Sequence, residues 1–374
     1  MKEEGHKALA GTEEQESPET AEDELAADPD PAAVVYSTTD FDIEGLVRRL
    51  QRGDIVIPTF GEDVEDPPIE TARFQRPLVW TKSQMDRFIE SLLLGYPIPG
   101  IFLVNQSDNR YLVLDGQQRL RTLRAFTEGI VYKREFALSN VAERFKGLTY
   151  KGMSPQQRRQ LENTFIQATI VQATPADGSL DAIYQVFERL NAGGTQLTPH
   201  EIRIALYAGP FVEWLTRIST SSEWRNLYGV APRHLRDQEL ILRILALSVE
   251  PDSYKRPLKK YLNDFTSKYR TLESLENVEL EERFLTAAKL LLGAEGSSVL
   301  RPAGSAVNAA WTEAIFVGLM RRLAIRPIDV EEVRAALQQL RANKDLAEVT
   351  ARATADLDSV QSRVRIASEA FMGA

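Results

Sequence analysis

Tyr111-Leu112-Val113-Leu114-Asp115-Gly116-Gln117-Gln118-Arg119-Leu120-Arg121-Thr122-Leu123-Arg124-Ala125-Phe126 is the stretch on which the reading of the chain turns. Tyr, Leu, Val and Leu make a continuous apolar run of strand length, whereas Leu120, Leu123 and Phe126 recur at helical spacing. The period changes at Asp115-Gly116, which predicts a short buried strand feeding straight into a helix. Asp115 is then the candidate N-cap. The amides of Gly116, Gln117 and Gln118 become the unpaired donors of the first turn, where the helix dipole favours an anion and Gly116 has no side chain to obstruct one. Arg119, one turn in, is placed to grip a phosphate with its bidentate fork. On local pattern alone the same residues also describe a capped helix whose glutamines and arginines face water.

Working outward, Phe41, Leu46, Val47 and Leu50 predict a short amphipathic helix, and Asp54 to Pro58 a strand closed by proline. Thr59 to Ala72 carries Glu62, Asp63, Glu65, Asp66 and Glu70 around Pro67-Pro68 and reads as an exposed acidic loop. Ser83 is the candidate N-cap of the next helix, with Asp86 at its third position and Phe88, Ile89, Leu92 and Leu93 as its apolar stripe. Ile101 to Val104 and Thr164 to Ala173 are strand candidates, with loop and helix over Gly147 to Gln160. A helix over about Leu180 to Leu190 stops at Asn191-Ala192-Gly193-Gly194. Another starts at Thr198, with Pro199 first and Glu201 third, the pattern of a capping box. From about Phe211 onward the periodicity is almost wholly helical. Near its start, Asp237 and Glu239 are expected to pair with Arg236 and Arg243; alternatively Arg233 and Arg236 reach towards a phosphate. The class expected is α+β, with a disordered acidic tail (1–33), a sheet-containing domain (34–208) and a helical domain (209–374).

At 43% hydrophobic and 26% charged, 374 residues describe an ordinary globular chain of about two domains. The longest apolar run, Leu240 to Leu247, is interrupted by Arg243 and falls short of the roughly 20 residues a membrane span needs. The N-terminus is acidic and without an apolar signal core. Zero Cys excludes disulfides and thiolate zinc sites and makes a cytoplasmic home the natural expectation. The net charge of −9 is concentrated in the tail, where residues 1–30 hold 11 carboxylates against two lysines, so the body is near neutral. No basic face advertises nucleic-acid binding.

Arg73-Phe74-Gln75-Arg76-Pro77-Leu78-Val79-Trp80, then Ile89 to Pro99, then Leu114 to Arg119, then Phe187 to Arg203, follow one another in an order that resembles the N-terminal domain of GmrSD-type restriction endonucleases. That family is similar in fold to the ParB/sulfiredoxin group, so the resemblance implies a small mixed sheet with helices and a nucleotide at the strand-to-helix turn. It also brings Asn191 and the Gly193-Gly194 amides to the pocket of Asp115 and Arg119. The acidic loop at 59–72 departs from the pattern and is either a surface insertion or a lid.

No P-loop, dinucleotide fingerprint, His-Glu-x-x-His or nucleophile elbow is present. The three histidines, His6, His200 and His234, are scattered and read as structural. GmrSD-type relatives commonly carry a C-terminal histidine-metal nuclease domain, and the lack of His or Cys after His234 leads to the expectation of a nuclease or effector on a separate chain. The first functional reading is a nucleoside triphosphatase of an anti-phage or restriction system, with magnesium as the implied ion. In it the amides after Asp115 cradle phosphate, Arg119 and Arg76 neutralise the transferring charge, and Gln75 and Gln118 orient substrate or water. Asp115 holds the metal, positions the water or merely caps the helix; the sequence leaves all three open. The second reading is a ParB-like DNA clamp switched by nucleotide, and the third a DNA nickase acting alone.

Overall fold

The computed structural model describes residues 34–57, 80–106, 109–172, 179–190, 198–302, 304 and 306–373. The acidic tail, the acidic loop at 59–72, and Gln75, Arg76, Asn191, Gly193 and Gly194 lie outside the described residues. Strands β1 (Tyr36–Asp42), β2 (Ile55–Val56), β3 (Ile101–Asn105), β4 (Tyr111–Asp115) and β7 (Phe165–Gln172) form a sheet in the order β1-β7-β3-β4-β2. It is mixed: β1 with β7 and β3 with β4 are antiparallel, whereas β3 with β7 and β2 with β4 are parallel. β5 (Ile130–Val131) and β6 (Arg134–Glu135) form a separate hairpin.

The apolar run of β4 is continuous because both faces of the sheet are covered. Val113 joins Ile101 and Leu103 in a core built with helices α1 (Ile43–Arg52), α2 (Lys82–Leu93), α3 (Gln117–Glu128) and α4 (Pro155–Glu162). Leu112 and Leu114 join Val104 and Val171 in a second core, with α5 (Ser179–Leu190), α6 (Pro199–Leu206) and the helices that follow. Each such side chain contributes about 1.5–3 kcal/mol of burial. Among the described residues every element after α6 is helical: α7 (Pro210–Ser219), α8 (Ser222–Tyr228), α9 (Arg236–Val249), α10 (Leu258–Lys268), α11 (Asn277–Glu295), α12 (Ala309–Leu323), α13 (Val330–Ala342), α14 (Lys344–Val349) and α15 (Leu357–Gly373), with short 3-10 turns between. The fold is α+β with a helical C-terminal region, and its two cores lie on opposite faces of the sheet. Among the described residues, no helix is long and apolar enough to cross a membrane.

Several local expectations are corrected. Phe41 lies in strand β1 rather than in the first helix, because Asp42 accepts from the Gly45 amide at 2.5 Å and starts α1 one residue later. The N-cap of α2 is Thr81, in a reciprocal box with Gln84, not Ser83. Asp86 is therefore free to turn inward, where it is fully buried and accepts from Lys82, Ser139 and Asn140. Asp237 pairs with Arg225, and Arg243 with Glu313, because both carboxylate and guanidinium face neighbouring helices instead of their own. The capping box of Thr198 with Glu201 forms as the spacing predicts.

Candidate functional site

The strand-to-helix turn forms where the period changes. β4 ends at Asp115, and Gly116, at φ 96°, turns the chain in the left-handed region into α3. A Cβ on Gly116 would stand 2.4 Å from the Ile101 Cγ2 atom of neighbouring β3, so both the dihedral and the close strand packing require glycine. Gly116 is itself the N-cap, which corrects the assignment of that role to Asp115. A glycine cap supplies no side-chain acceptor, so the first-turn amides, now Gln117, Gln118 and Arg119, receive no side-chain cap.

Asp115 and Arg119 meet directly. Arg119 donates from Nη2 to Asp115 Oδ2 at 2.6 Å and from Nη1 to the Pro99 carbonyl at 2.8 Å, so its fork ties α3 back to β4 and to the turn before β3. The Arg119 side chain is 12% exposed and that of Asp115 48%, leaving the carboxylate as the open member of the pair. Gln118 accepts from the Trp80 amide at 3.4 Å, and the Tyr132 hydroxyl donates to the Trp80 carbonyl at 2.9 Å. Gln117 lies back along the turn, its side-chain amide 3.5 Å from the Val113 carbonyl. The turn thus brings Asp115, Gly116, Gln117, Gln118 and Arg119 together. Pro99, Trp80 and Tyr132 join them without having been singled out. Trp80 and Pro99 stand within stretches that mark the resemblance; Tyr132, at the tip of the β5–β6 hairpin, carries no signal in the sequence.

Among the described residues no three His, Asp or Glu side chains converge to hold a metal. A magnesium ion that takes most of its ligands from phosphates and water needs only one or two carboxylates, and Asp115 offers one at this turn.

His200 and His234 are used elsewhere. His200, fully buried in α6, accepts at Nδ1 from Arg203 (3.2 Å), which leaves Nε2 as the donor to Gln238 Oε1 (3.1 Å) in α9. Burial, and then the Arg203 guanidinium, push its pKa down to about 3, so the ring is neutral. Arg203 donates onward to Asn263 at 2.8 Å. Glu201 accepts from the Thr198 amide at 2.7 Å and lies 3.2 Å from His234 Nδ1. These residues bolt α6, which opens just after the Gly193-Gly194 stretch, to the later helices.

Residues 57–208 match the family model of the GmrSD restriction endonuclease, N-terminal domain. All four stretches that carry the resemblance lie within this span. A GmrSD N-terminal domain suggests a component of a restriction or defence system. No curated protein matches the chain.

Proposed function

We propose that a chain whose residues 57–208 match this restriction-endonuclease domain is the nucleotide-binding, triphosphate-hydrolysing component of a prokaryotic defence system, acting with a nuclease or effector on a separate chain. The observation that carries the reading is the turn itself. A left-handed Gly116 opens a helix whose first amides have no side-chain cap, beside an acid and a guanidinium. An anionic phosphate fits such donors and such a dipole. Asp115, the more exposed of the pair, would hold magnesium, whose charge would offset that of the phosphates. Arg119 would exchange its bond to Asp115 for a phosphate oxygen while keeping the Pro99 carbonyl, and Gln118 would orient substrate or water. Gln75, Arg76, Asn191, Gly193 and Gly194 complete the proposed site.

One observation favours the nucleotide-switched clamp as a second reading. Both outer nitrogens of Arg119 are bonded to the protein itself, an arrangement that suits holding a conformation as well as stabilising transferring charge. In that reading DNA is the partner and nucleotide only the switch. Phosphate release with each of the four ribonucleoside triphosphates and magnesium, with and without DNA, separates the two. Turnover that is lost in Asp115→Ala and in Arg119→Ala, both shown to be folded by thermal melting, supports hydrolysis. Binding without turnover, together with nucleotide-dependent and salt-sensitive DNA affinity, supports the clamp and ends the hydrolase reading.

A further inference from the structure

β1 is an edge strand, and its main-chain polarity can be read from its two ends. The Val35 carbonyl accepts from the Gln172 amide at 3.0 Å, and the Ile43 amide donates to the Thr164 carbonyl at 3.1 Å. The intervening register is unbroken, from Tyr36 opposite Val171 to Asp42 opposite Phe165. In an antiparallel pair the bonded residues alternate, so Ser37, Thr39 and Phe41 bond β7 while the N–H and C=O of Tyr36, Thr38, Asp40 and Asp42 point away from the sheet. Among the described residues those outward groups meet no other strand. The strand carries no Lys, no Pro and no bulge, its charges are confined to Asp40 and Asp42, and its first five residues are exposed.

We infer that this edge pairs with β1 of a second copy of the chain, antiparallel about a twofold axis at Thr39, so that two sheets become one. Hydrogen bonding restricts the register to those placing even-numbered residues opposite one another. Sliding the pair so that Asp40 faces Asp40 of the other copy sets like charges together, which disfavours it. Centring on Thr38 leaves Asp42 without a partner in β1. Centring on Thr39 sets Tyr36 against Asp42 and Thr38 against Asp40, uses all four outward residues, and forms about eight main-chain hydrogen bonds.

The same register accounts for two exposed aromatics. Asp42 lies opposite Phe165 in the sheet, so Tyr36 of the second copy would extend the row Phe165, Asp42, Tyr36 on one face. Tyr36 is 66% exposed and Phe165 65% exposed in the single chain. The pairing would place one such row at each end of the paired strands, three residues from the axis.

The natural absence of cysteine gives the test a clean reporter. Sedimentation of the full chain over a concentration series should show a dimer. Thr38→Pro removes only an outward N–H and leaves the β7 ladder intact, so it should weaken the dimer by more than about tenfold without changing the circular dichroism. Thr39→Cys should cross-link two copies on mild oxidation, while Ser37→Cys, which faces Phe41 in this register, should not. A chain that stays monomeric to millimolar concentration overturns the inference, as does a dimer unaffected by Thr38→Pro. If Thr38→Pro fails to fold, the cysteine pair decides alone: equal cross-linking at both positions, or none at Thr39→Cys, overturns it.

Discussion

Gly116 and Asp86 illustrate how much single positions carry when the backbone or a carboxylate has no alternative. Gly116→Ala must place a Cβ into Ile101 at a dihedral that L residues avoid. The expected loss is about 1–3 kcal/mol, read as a lower urea midpoint at unchanged slope. Asp86 is poised differently. Burial pushes its carboxyl up, but the Lys82 ammonium and the donors of Asn140 and Ser139 together outweigh that and hold it below the usual carboxylate range. A depressed acid stabilises the fold above its unfolded value and loses that contribution as pH falls through the folded one. Asp86→Asn should therefore cost about 3 kcal/mol at neutral pH. The gap from wild type should begin to narrow as the pH falls below about 4, which parallel urea titrations at pH 7 and pH 3 would measure.

Among the elements, α6 makes the sharpest prediction. His200 in the unfolded chain takes up a proton near pH 6.5, but in the folded one only near 3. Between those values the unfolded state binds the extra proton, so His200 lowers stability by about 1.4 kcal/mol per pH unit as the pH falls. It contributes no such slope above pH 6.5. His200→Gln should flatten the stability profile between about pH 6 and 4 by that amount, whatever it does to absolute stability, and chemical denaturation across that range checks it. The element scale also shows where sequence is legible. The β4-to-α3 turn is readable because the change of period and the glycine are both local, and the Thr198-Glu201 box likewise. The role of Asp115 is not readable, since ion pairing instead of capping depends on where Pro99 presents its carbonyl. Thr81 and Ser83 both precede plausible cap partners, and only the distant Ser139-Asn140 segment decides that Asp86 turns inward. β1 escapes notice because Tyr36 to Asp40 are exposed and lack alternation. The β5–β6 hairpin turns on Tyr132 and Lys133 at positive φ, without the Asn or Gly that would signal it.

Across the whole molecule, charge is buried where helices from distant parts of the chain meet. Glu313 in α12 is fully buried between Arg243 of α9 and Arg363 of α15, and Arg363 also donates to the Thr354 carbonyl. Removing the carboxylate alone takes the shared counter-ion from two buried guanidinium groups, so Glu313→Ala should cost about 3–5 kcal/mol. Replacing all three residues by apolar ones of similar volume should be near neutral or stabilising, and thermal melts of the two variants would separate by many degrees. The sheet is the other place where distant parts meet, and β4 is its most consequential strand. Leu112 and Leu114 press on one core and Val113 on the other, and the same strand ends at Asp115 and Gly116. It acts as a diaphragm stretched between two chambers. Packing on either side bears on the same short strand, and the donors of α3 begin at its end.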